Sequence, residues 1–173
     1  MRGMGDVAQL RRARPADADA LVRLRREMFA AMGRTGEGWE EGAGSWFAVA
    51  LDRPDETAAF VVEVDGLVVA GAVGTVRRSA PSPGDPTGVS GELWNVCTLP
   101  GHRGRGHARR VVTALLDWFD TGTAAAAVRL NATADGVALY RSLGFEEPSW
   151  PHMRRVRPSS TRDCRSPGPH CSA

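Results

Sequence analysis

Two segments of the chain carry apolar residues at helical spacing. In residues 16–31, Leu21, Leu24 and Met28 recur every three to four positions, and arginines occupy several of the positions between them. In residues 104–119 the apolar side chains form one continuous stripe on a helical projection. The pattern therefore predicts an amphipathic helix near the N-terminus and a second one in the latter half of the chain.

Runs rich in valine predict strands between these two helices. Residues 58–64 and 67–76 have the composition that strands prefer. Asp65 and Gly66 stand between them, and this dipeptide favours a two-residue hairpin turn. Residues 92–98 form a further predicted strand. The middle of the chain is therefore expected to supply the main part of a β-sheet.

The remaining elements are shorter. We expect a short helix over residues 44–51, a strand over 124–131, a helix over 134–143 and a last strand region that begins at Phe145. Together with the longer elements they predict an α/β (α+β) layer sandwich, in which helices cover the faces of a mixed sheet.

Length and charge predict how the chain is organised. The 173 residues suit a single domain. We expect this domain to span residues 1–157 and to be followed by a disordered basic tail, residues 158–173, in which prolines, serines and charges show no apolar period. From Arg154 onward, five arginines and one aspartate give a charge of +4. Because the net charge of the whole chain is +2, residues 1–153 carry −2. Nucleic acid is therefore not an expected partner, and contact through the tail is kept as an alternative.

Composition argues against several kinds of chemistry. The chain contains no lysine, which excludes a P-loop and a Schiff-base mechanism on this chain. The three cysteines include no CxxC pair, and Cys97 among apolar neighbours fits a small core residue. His102 and His107 have no further ligand at metal-binding spacing, so no metal is expected. Cysteine usage, and the absence of a long apolar run or a secretory signal, predict a soluble cytoplasmic protein.

The segment 95–108 carries the clearest chemical signal. A predicted strand ends at Pro100, a turn rich in glycine and arginine follows, and an amphipathic helix begins at once. Free N–H groups and the dipole at a helix N-terminus attract anions, and glycines let the backbone approach a phosphate closely. Arg103 and Arg105 add positive charge. The segment therefore predicts a site for a phosphate-bearing ligand.

The glycine spacing separates two classes of such ligands. A dinucleotide fingerprint would need a third glycine where Arg109 stands. The order Arg103-x-x-Gly106-x-Ala108 instead resembles the R/Q-x-x-G-x-G/A signature of the GCN5-related N-acetyltransferase (GNAT) family. Downstream, residues 138–145 read ALYRSLGF, which is similar to the ALY-x-x-LGF ending of the same family.

The resemblance extends loosely over residues 11–156 and implies acetyl-CoA as co-substrate. It implies a mixed, mostly antiparallel sheet flanked by helices, with fourth and fifth strands that splay apart and hold the acyl-CoA between them. The cofactor-binding residues that it implies are Val96, Cys97 and Thr98 at the pantetheine, Arg103, Gly104, Arg105, Gly106, His107 and Ala108 at the pyrophosphate, and Asn131 or Thr133 as a further polar contact.

The resemblance also implies a reaction, the direct attack of an amine on the thioester. Tyr140 takes the place of the family's general acid, and Glu92 is a candidate base that could equally be an exposed strand residue or a substrate contact. Trp39, Trp46 and Phe47 either line the acceptor pocket or pack ordinarily. The acceptor is expected to be a small-molecule or protein amine, and a homodimer is left open. The alternative function is a non-catalytic acyl-CoA-binding module with the same fold.

Overall fold

The computed structural model describes residues 7–149 and 153–155. Its strands are β1 (Gln9–Arg12), β2 (Thr57–Val64), β3 (Leu67–Arg78), β4 (Val89–Thr98) and β5 (Val128–Arg129). Its α-helices are α1 (Ala18–Ala31), α2 (Glu40–Ala50), α3 (His107–Gly122) and α4 (Val137–Arg141). Short 3₁₀ turns at Pro15–Asp17, Pro100–His102 and Ala134–Gly136 precede α1, α3 and α4.

The strands form one sheet in the order β1-β2-β3-β4-β5. Neighbours are antiparallel from β1 to β4, and β5 pairs with β4 in parallel. The turn between β2 and β3 contains Asp65 and Gly66, both with positive φ (50° and 78°), as a tight hairpin turn requires. The structure thus confirms the predicted hairpin and the mixed, mostly antiparallel sheet flanked by helices.

Each face of the sheet buries its own apolar cluster. Leu21 and Leu24 of α1 pack with Phe47 of α2 on one face. On the other face, α3 buries Leu115 and Phe119 against the sheet. Phe119 packs so closely that a Cβ atom at Gly91 would lie 2.5 Å from its ring, so β4 can pass under the helix only with glycine there. Burial of one such aromatic ring contributes about 2–3 kcal/mol to folding.

The first strand was not expected from the sequence. β1 has the sequence QLRR and a single strongly apolar residue, so it lacks the alternation that marks a strand. It is held by pairing with β2, where Leu10 faces Val62. Arg11 adds ion pairs to Asp17 at 2.8 Å and to Glu63 at 2.7 Å. Residues 9–12 therefore form a strand because they pair with the edge of β2 and because Arg11 forms ion pairs, although their hydrophobic pattern does not predict one.

Several predicted boundaries differ from the structure. The helix expected over 44–51 is α2, which begins earlier, and the helix expected over 104–119 is α3, which begins after the turn. The strand expected over 124–131 is only the two residues of β5. The helix expected over 134–143 is a 3₁₀ turn followed by the five residues of α4. No strand follows Phe145 in the described residues, so the last strand region is wrong there.

Two further predictions concern the C-terminal boundary of the domain and the membrane. The boundary at residues 157 and 158, together with the tail, lies outside them. Within them, none of the helices combines the length and the apolar character that crossing a membrane requires.

Candidate cofactor and catalytic site

The strands β4 and β5 separate soon after they begin to pair. Their ladder consists of two partner pairs, Gly91 with Val128 and Glu92 with Arg129. Beyond Glu92, β4 pairs with β3 on one side only in the described part of the chain. Backbone N–H and C=O groups on the open side of residues 95–98 are therefore available to a ligand.

A bulge in β4 lies just beyond the point of separation. The register with β3 shifts between Gly71 and Val73, so that one residue of β3 faces two of β4. Asn95 in the bulge has a φ of 55°, a left-handed conformation that asparagine tolerates better than most residues. Residues three positions apart lie on opposite faces of a regular strand. Because of the bulge, Trp94 and Cys97 both lie on the face that packs against α1.

An arginine from α1 supports the bulge. Arg25 Nη1 donates a hydrogen bond to Asn95 Oδ1 at 3.2 Å. The guanidinium lies 4.7 Å from the centre of the Phe29 ring and 5.3 Å from that of Trp94. Burial lowers the pKa of Arg25 from its ordinary value. Sequence reasoning did not single out Arg25, because an arginine in an amphipathic helix is usually a solvated residue.

The turn between β4 and α3 has the geometry expected of an anion site. Gly104 and Gly106 have φ values of 75° and 77°, which β-branched or bulky residues rarely adopt. Arg103 Nε donates to the carbonyl oxygen of Thr98 at 3.1 Å and ties the turn to the end of β4. The first N–H groups of α3 have no partner inside the helix, and the helix begins at His107.

A cleft of about 810 Å³ joins the open end of β4 to this turn. It contains all the predicted cofactor-binding residues except Arg105 and Asn131. Its opposite wall comes from α4 and the turn before it. Sequence reasoning missed the contribution of the C-terminal end of α1, where Met28, Ala31 and the following residue Met32 line the cleft. The amphipathic pattern of α1 predicts that Met28 packs inward. Only the folded structure shows that the inward side of α1 faces a cleft at the C-terminal end of the helix.

A second cavity of about 710 Å³ lies beside the paired end of β4. Glu92 and Asn131 line this cavity and not the first one. The carboxylate of Glu92 accepts a hydrogen bond from Arg77 at 3.1 Å, and the Glu92 side chain is 39% exposed. Tyr140 and Glu92, the two catalytic candidates, thus both line the second cavity.

Tyr140 contributes to the linings of both cavities. Its ring packs edge-on against Phe145, with centroids 5.9 Å apart. Burial raises the pKa of Tyr140 above its ordinary value of about 10. The phenol therefore keeps its proton at neutral pH and can donate it.

Polar groups without partners cluster in the first cleft, which is called the cofactor cleft below because it is lined by most of the residues predicted to bind the cofactor. Thr98 Oγ1, His102 Nδ1 and both ring nitrogens of His107 are buried and have no hydrogen-bond partner within the described part of the chain. Buried polar atoms are rarely left unpaired, which makes them candidates for ligand contacts. Cys97 differs, because burial raises the pKa of its thiol to about 11 and keeps it protonated. A thiolate nucleophile at this position is therefore not favoured.

The aromatic residues of α2 lie on the α1 side of the site. Trp46 and Phe47 contact Trp94 of β4, with ring centroids 5.3 Å and 5.9 Å away. Phe47 is buried in the core, whereas Trp46 is 44% exposed. Trp39 packs against Phe29. Phe47 therefore packs in the core. The sequence left the roles of Trp39, Trp46 and Phe47 open, and none of the three lines either cavity.

Comparison with known proteins decides the family. The model of the acetyltransferase (GNAT) family matches residues 18–145. The chain belongs to the GNAT family. The match includes both α1 and the Tyr140–Phe145 end of the second motif, so the family resemblance noted in the sequence is confirmed.

GNAT relatives share this fold at low sequence identity. A predicted acetyltransferase of Clostridium acetobutylicum, solved with acetyl-CoA, has a TM-score of 0.77 at 21% identity, over 86% of this chain and 96% of that one. An aminoglycoside N-acetyltransferase solved with CoA has a TM-score of 0.70 at 19% identity, over 91% and 99%. Glucosamine-6-phosphate N-acetyltransferase of Arabidopsis thaliana has 0.67 at 17%, over 88% and 100%.

An uncharacterised protein of Mycobacterium leprae is a closer relative in sequence. It is 31% identical over 135 residues, which cover 76% of this chain. The matched region is only 33% of that protein, so this GNAT chain spans about a third of the length of its curated relative.

Proposed function

We propose that this chain transfers the acetyl group of acetyl-CoA to the amine of an acceptor by direct attack. The observation that carries the proposal is the position of Tyr140, which lines both the cofactor cleft and the second cavity. A residue at this junction can contact a thioester in the first space and an amine that enters from the second.

The cofactor cleft has the features that acetyl-CoA needs. The open side of Val96, Cys97 and Thr98 offers backbone groups to the amides of the pantetheine, as an added strand would. The turn and the start of α3 offer N–H groups and arginines to the pyrophosphate. Thr133 lies in the opposite wall and supplies a further hydroxyl. The family membership supports the same cofactor, and no metal is part of the proposal.

Backbone groups next to the bulge would polarise the thioester carbonyl. N–H groups that already point at developing negative charge need no reorganisation during the reaction, which is why such groups contribute strongly to catalysis. Asn95 and its contact with Arg25 hold the bulge in one conformation. We assign these two residues a positioning role, because neither lines the cleft.

The reaction then needs two proton transfers. The neutral amine forms a C–N bond with the carbonyl carbon, and the C–S bond breaks as the tetrahedral centre collapses. Tyr140 donates its phenolic proton to the leaving sulfur. The nitrogen gives up one proton, directly or through water, to Glu92 in the second cavity. Because Glu92 is partly exposed and bound to Arg77, a substrate contact remains the alternative role for it.

The acceptor enters through the second cavity in this proposal. The volume of this cavity suits a small molecule or the end of a protein segment. Two of the solved relatives are named for different acceptors, an aminoglycoside and glucosamine-6-phosphate, so they do not select one acceptor for this chain. The cytoplasmic location stays a prediction from the sequence, and the question of a homodimer stays open.

A thiol-release assay with a panel of amines tests the proposal. With an accepted amine, Tyr140→Phe should lower kcat about a hundredfold, as expected for loss of a general acid, and leave the Kd of acetyl-CoA unchanged. Thr121→Val is the control, since it removes an exposed hydroxyl near the far end of α3. Equal turnover by Tyr140→Phe and the wild type would reject the acid role. Binding without turnover across the panel would favour the non-catalytic acyl-CoA-binding module.

A further inference from the structure

Arg25 on α1 is a half-buried arginine whose charge has no acidic partner. It takes part in none of the ion pairs that join described residues. Arg11 shows the usual arrangement, because its side chain is 25% exposed and forms ion pairs with Asp17 and Glu63. Removing a charge from water without a counter-charge is costly. A bound anion would supply the counter-charge that Arg25 lacks.

The support of the bulge uses only part of this guanidinium. A guanidinium has five N–H groups, and among the described residues that of Arg25 donates one hydrogen bond, to Asn95 Oδ1. The Nε atom of Arg23 is buried without a partner, whereas no nitrogen of Arg25 is buried in this way. The unused N–H groups of Arg25 are therefore within reach of solvent and of a ligand.

Arg25 lies at the end of the cofactor cleft that is farther from the glycine-arginine turn. It precedes Met28, which lines the cleft, by about one turn of α1. Its partner Asn95 precedes Val96, the first residue of β4 in the cleft lining. In the proposed function the pyrophosphate lies at the turn, so the thioester lies at the opposite end. The amine of the acceptor has to reach that same end.

One face of β4 connects Arg25 with the second cavity. Glu92 lines that cavity, and Trp94, two residues further along the strand, lies on the same face. The Trp94 indole donates a hydrogen bond to Thr75, which pairs with Glu92 across the strands. The centre of the Trp94 ring is 5.3 Å from the guanidinium of Arg25. An acceptor beside Glu92 therefore has Trp94 and then Arg25 next along the strand.

We propose that the acceptor is a free amino acid, whose carboxylate binds the guanidinium of Arg25 while its α-amine attacks the thioester. The inference rests on the proposed function, because it names the acceptor of that reaction. A carboxylate holds two oxygens in one plane and matches the planar fork of a guanidinium. One cation balances its single negative charge, whereas a phosphate monoester carries up to about two.

The position of Arg25 also limits the distance between the carboxylate and the amine. Arg25 contacts Asn95, and the cleft lining begins at the next residue, Val96. The two groups of the acceptor therefore have to lie within a few bonds of each other, as they do in an α-amino acid. The N-terminal amine of a protein is followed by an amide and has no carboxylate at this place.

Matched acceptors test the inference in the wild-type chain. Thiol release from acetyl-CoA is measured with the common amino acids, and each accepted one is compared with its decarboxylated amine and its carboxamide. For leucine these analogues are 3-methylbutylamine and leucinamide. After correction for the fraction of neutral amine, kcat/KM should be at least about tenfold higher for the amino acid. Equal or higher values for the uncharged analogues, or for O-phosphoethanolamine, would overturn the inference.

Arg25→Gln assigns the preference to this side chain. The ratio of kcat/KM for the amino acid to that for its decarboxylated amine should fall about tenfold or more. Weaker support of the bulge lowers both values alike, so an unchanged ratio would leave Arg25 only its positioning role and overturn the inference. Arg25→Lys keeps the charge and should keep part of the preference. Arg26→Gln is the matched control, since Arg26 is 58% exposed and pairs with Glu40; its ratio should equal that of the wild type.

The outcomes separate this inference from the proposed function. If no amine of any kind is acetylated, the proposed function fails and takes the inference with it. If uncharged amines are acetylated and amino acids are not preferred, the proposed function stands and only the role of Arg25 is rejected. Thermal unfolding of each variant shows whether a loss of activity reflects a loss of folding, and the preference of the wild type tests the inference without any variant.

Discussion

The two ends of β4 differ in how they are bonded and in what they do. At residues 89–93 the strand lies between β3 and β5 and under α3, and Leu93 is 2% exposed. At residues 95–98 it pairs with β3 alone, contains the bulge at Asn95, and lines the cofactor cleft with Val96, Cys97 and Thr98. One strand thus belongs to the core at one end and to the candidate site at the other.

The difference shows how a sheet can supply binding groups without loop insertions. Strand pairing satisfies backbone N–H and C=O groups, so a paired strand has little left to offer a ligand. When the neighbour diverges after two residue pairs, the same groups become free on one side. The irregular residues Asn95, Gly104 and Gly106 all lie at or beyond this divergence. The paired end also has a positive-φ residue, Gly88, but it lies before β4, whereas Asn95 interrupts the strand itself.

The first prediction concerns a substitution at the paired end of β4. Leu93→Ala removes a buried side chain from the cluster under α3 and should lower the free energy of unfolding by about 2–5 kcal/mol. The Kd of acetyl-CoA, measured below the melting temperature, should stay within about twofold, because Leu93 is not in the cleft lining. Denaturant unfolding and calorimetry give the two numbers. A large loss of affinity in the folded variant would show that the two ends are not independent.

The second prediction concerns a substitution in the turn that follows the open end of β4. Gly106→Glu places a side chain at a φ of 77° and a negative charge next to the expected pyrophosphate. Affinity for acetyl-CoA should fall at least about a hundredfold, through like-charge repulsion and backbone strain. Gly36→Glu is the control, since it adds the same charge in an exposed loop where a Cβ meets no atom within 4 Å. Retained affinity in Gly106→Glu would contradict the assignment of the site.

The third prediction sharpens the role of the bulge. Asn95→Val forces a β-branched residue to a φ of 55° and should lower kcat/KM about tenfold. Asn95→Gly tolerates the conformation and should restore most of the activity, although it loses the hydrogen bond from Arg25. Steady-state thiol release measures both variants. Equal losses in the valine and glycine variants would indicate that the carboxamide matters and the backbone conformation does not.

The fourth and smallest effect is a dependence of stability on pH. The pKa of His107 in the folded chain lies below its ordinary value of about 6.5. As the pH falls below about 6.5, the unfolded chain binds this proton more readily, so the contribution of His107 to stability decreases. Melting temperatures of the unliganded wild type should fall between pH 7.5 and 5.5 by more than those of His107→Gln. Equal falls would show that His107 does not contribute.

Much of the paired framework could be predicted from sequence. The valine runs and the Asp65-Gly66 turn specify β2 and β3 locally, and the apolar stripe of α3 indicates its buried face. The glycines and arginines of the turn could be read as an anion site because they are neighbours in the chain. Features that depend on neighbours in the chain could therefore be predicted from the sequence.

The missed features depend on contacts between distant segments. β1 exists because β2 offers an edge and Glu63 an ion pair, 52 residues away from Arg11. The separation of β4 from β5 was expected only from the family resemblance, because neither strand carries a local signal for it. The support of Asn95 by Arg25 was missed, since it joins residues that are 70 apart. Asn131 was expected at the cofactor but lines the second cavity and not the first. Such features need the assembled fold.

The most direct test of the central claim is a calorimetric titration of the full chain with acetyl-CoA, with NADH as the comparison ligand. The open end of β4 and the glycine-arginine turn predict binding of acetyl-CoA in the micromolar range and none of NADH. Binding of NADH, or of neither ligand, would contradict the assignment of the cleft to an acyl-CoA.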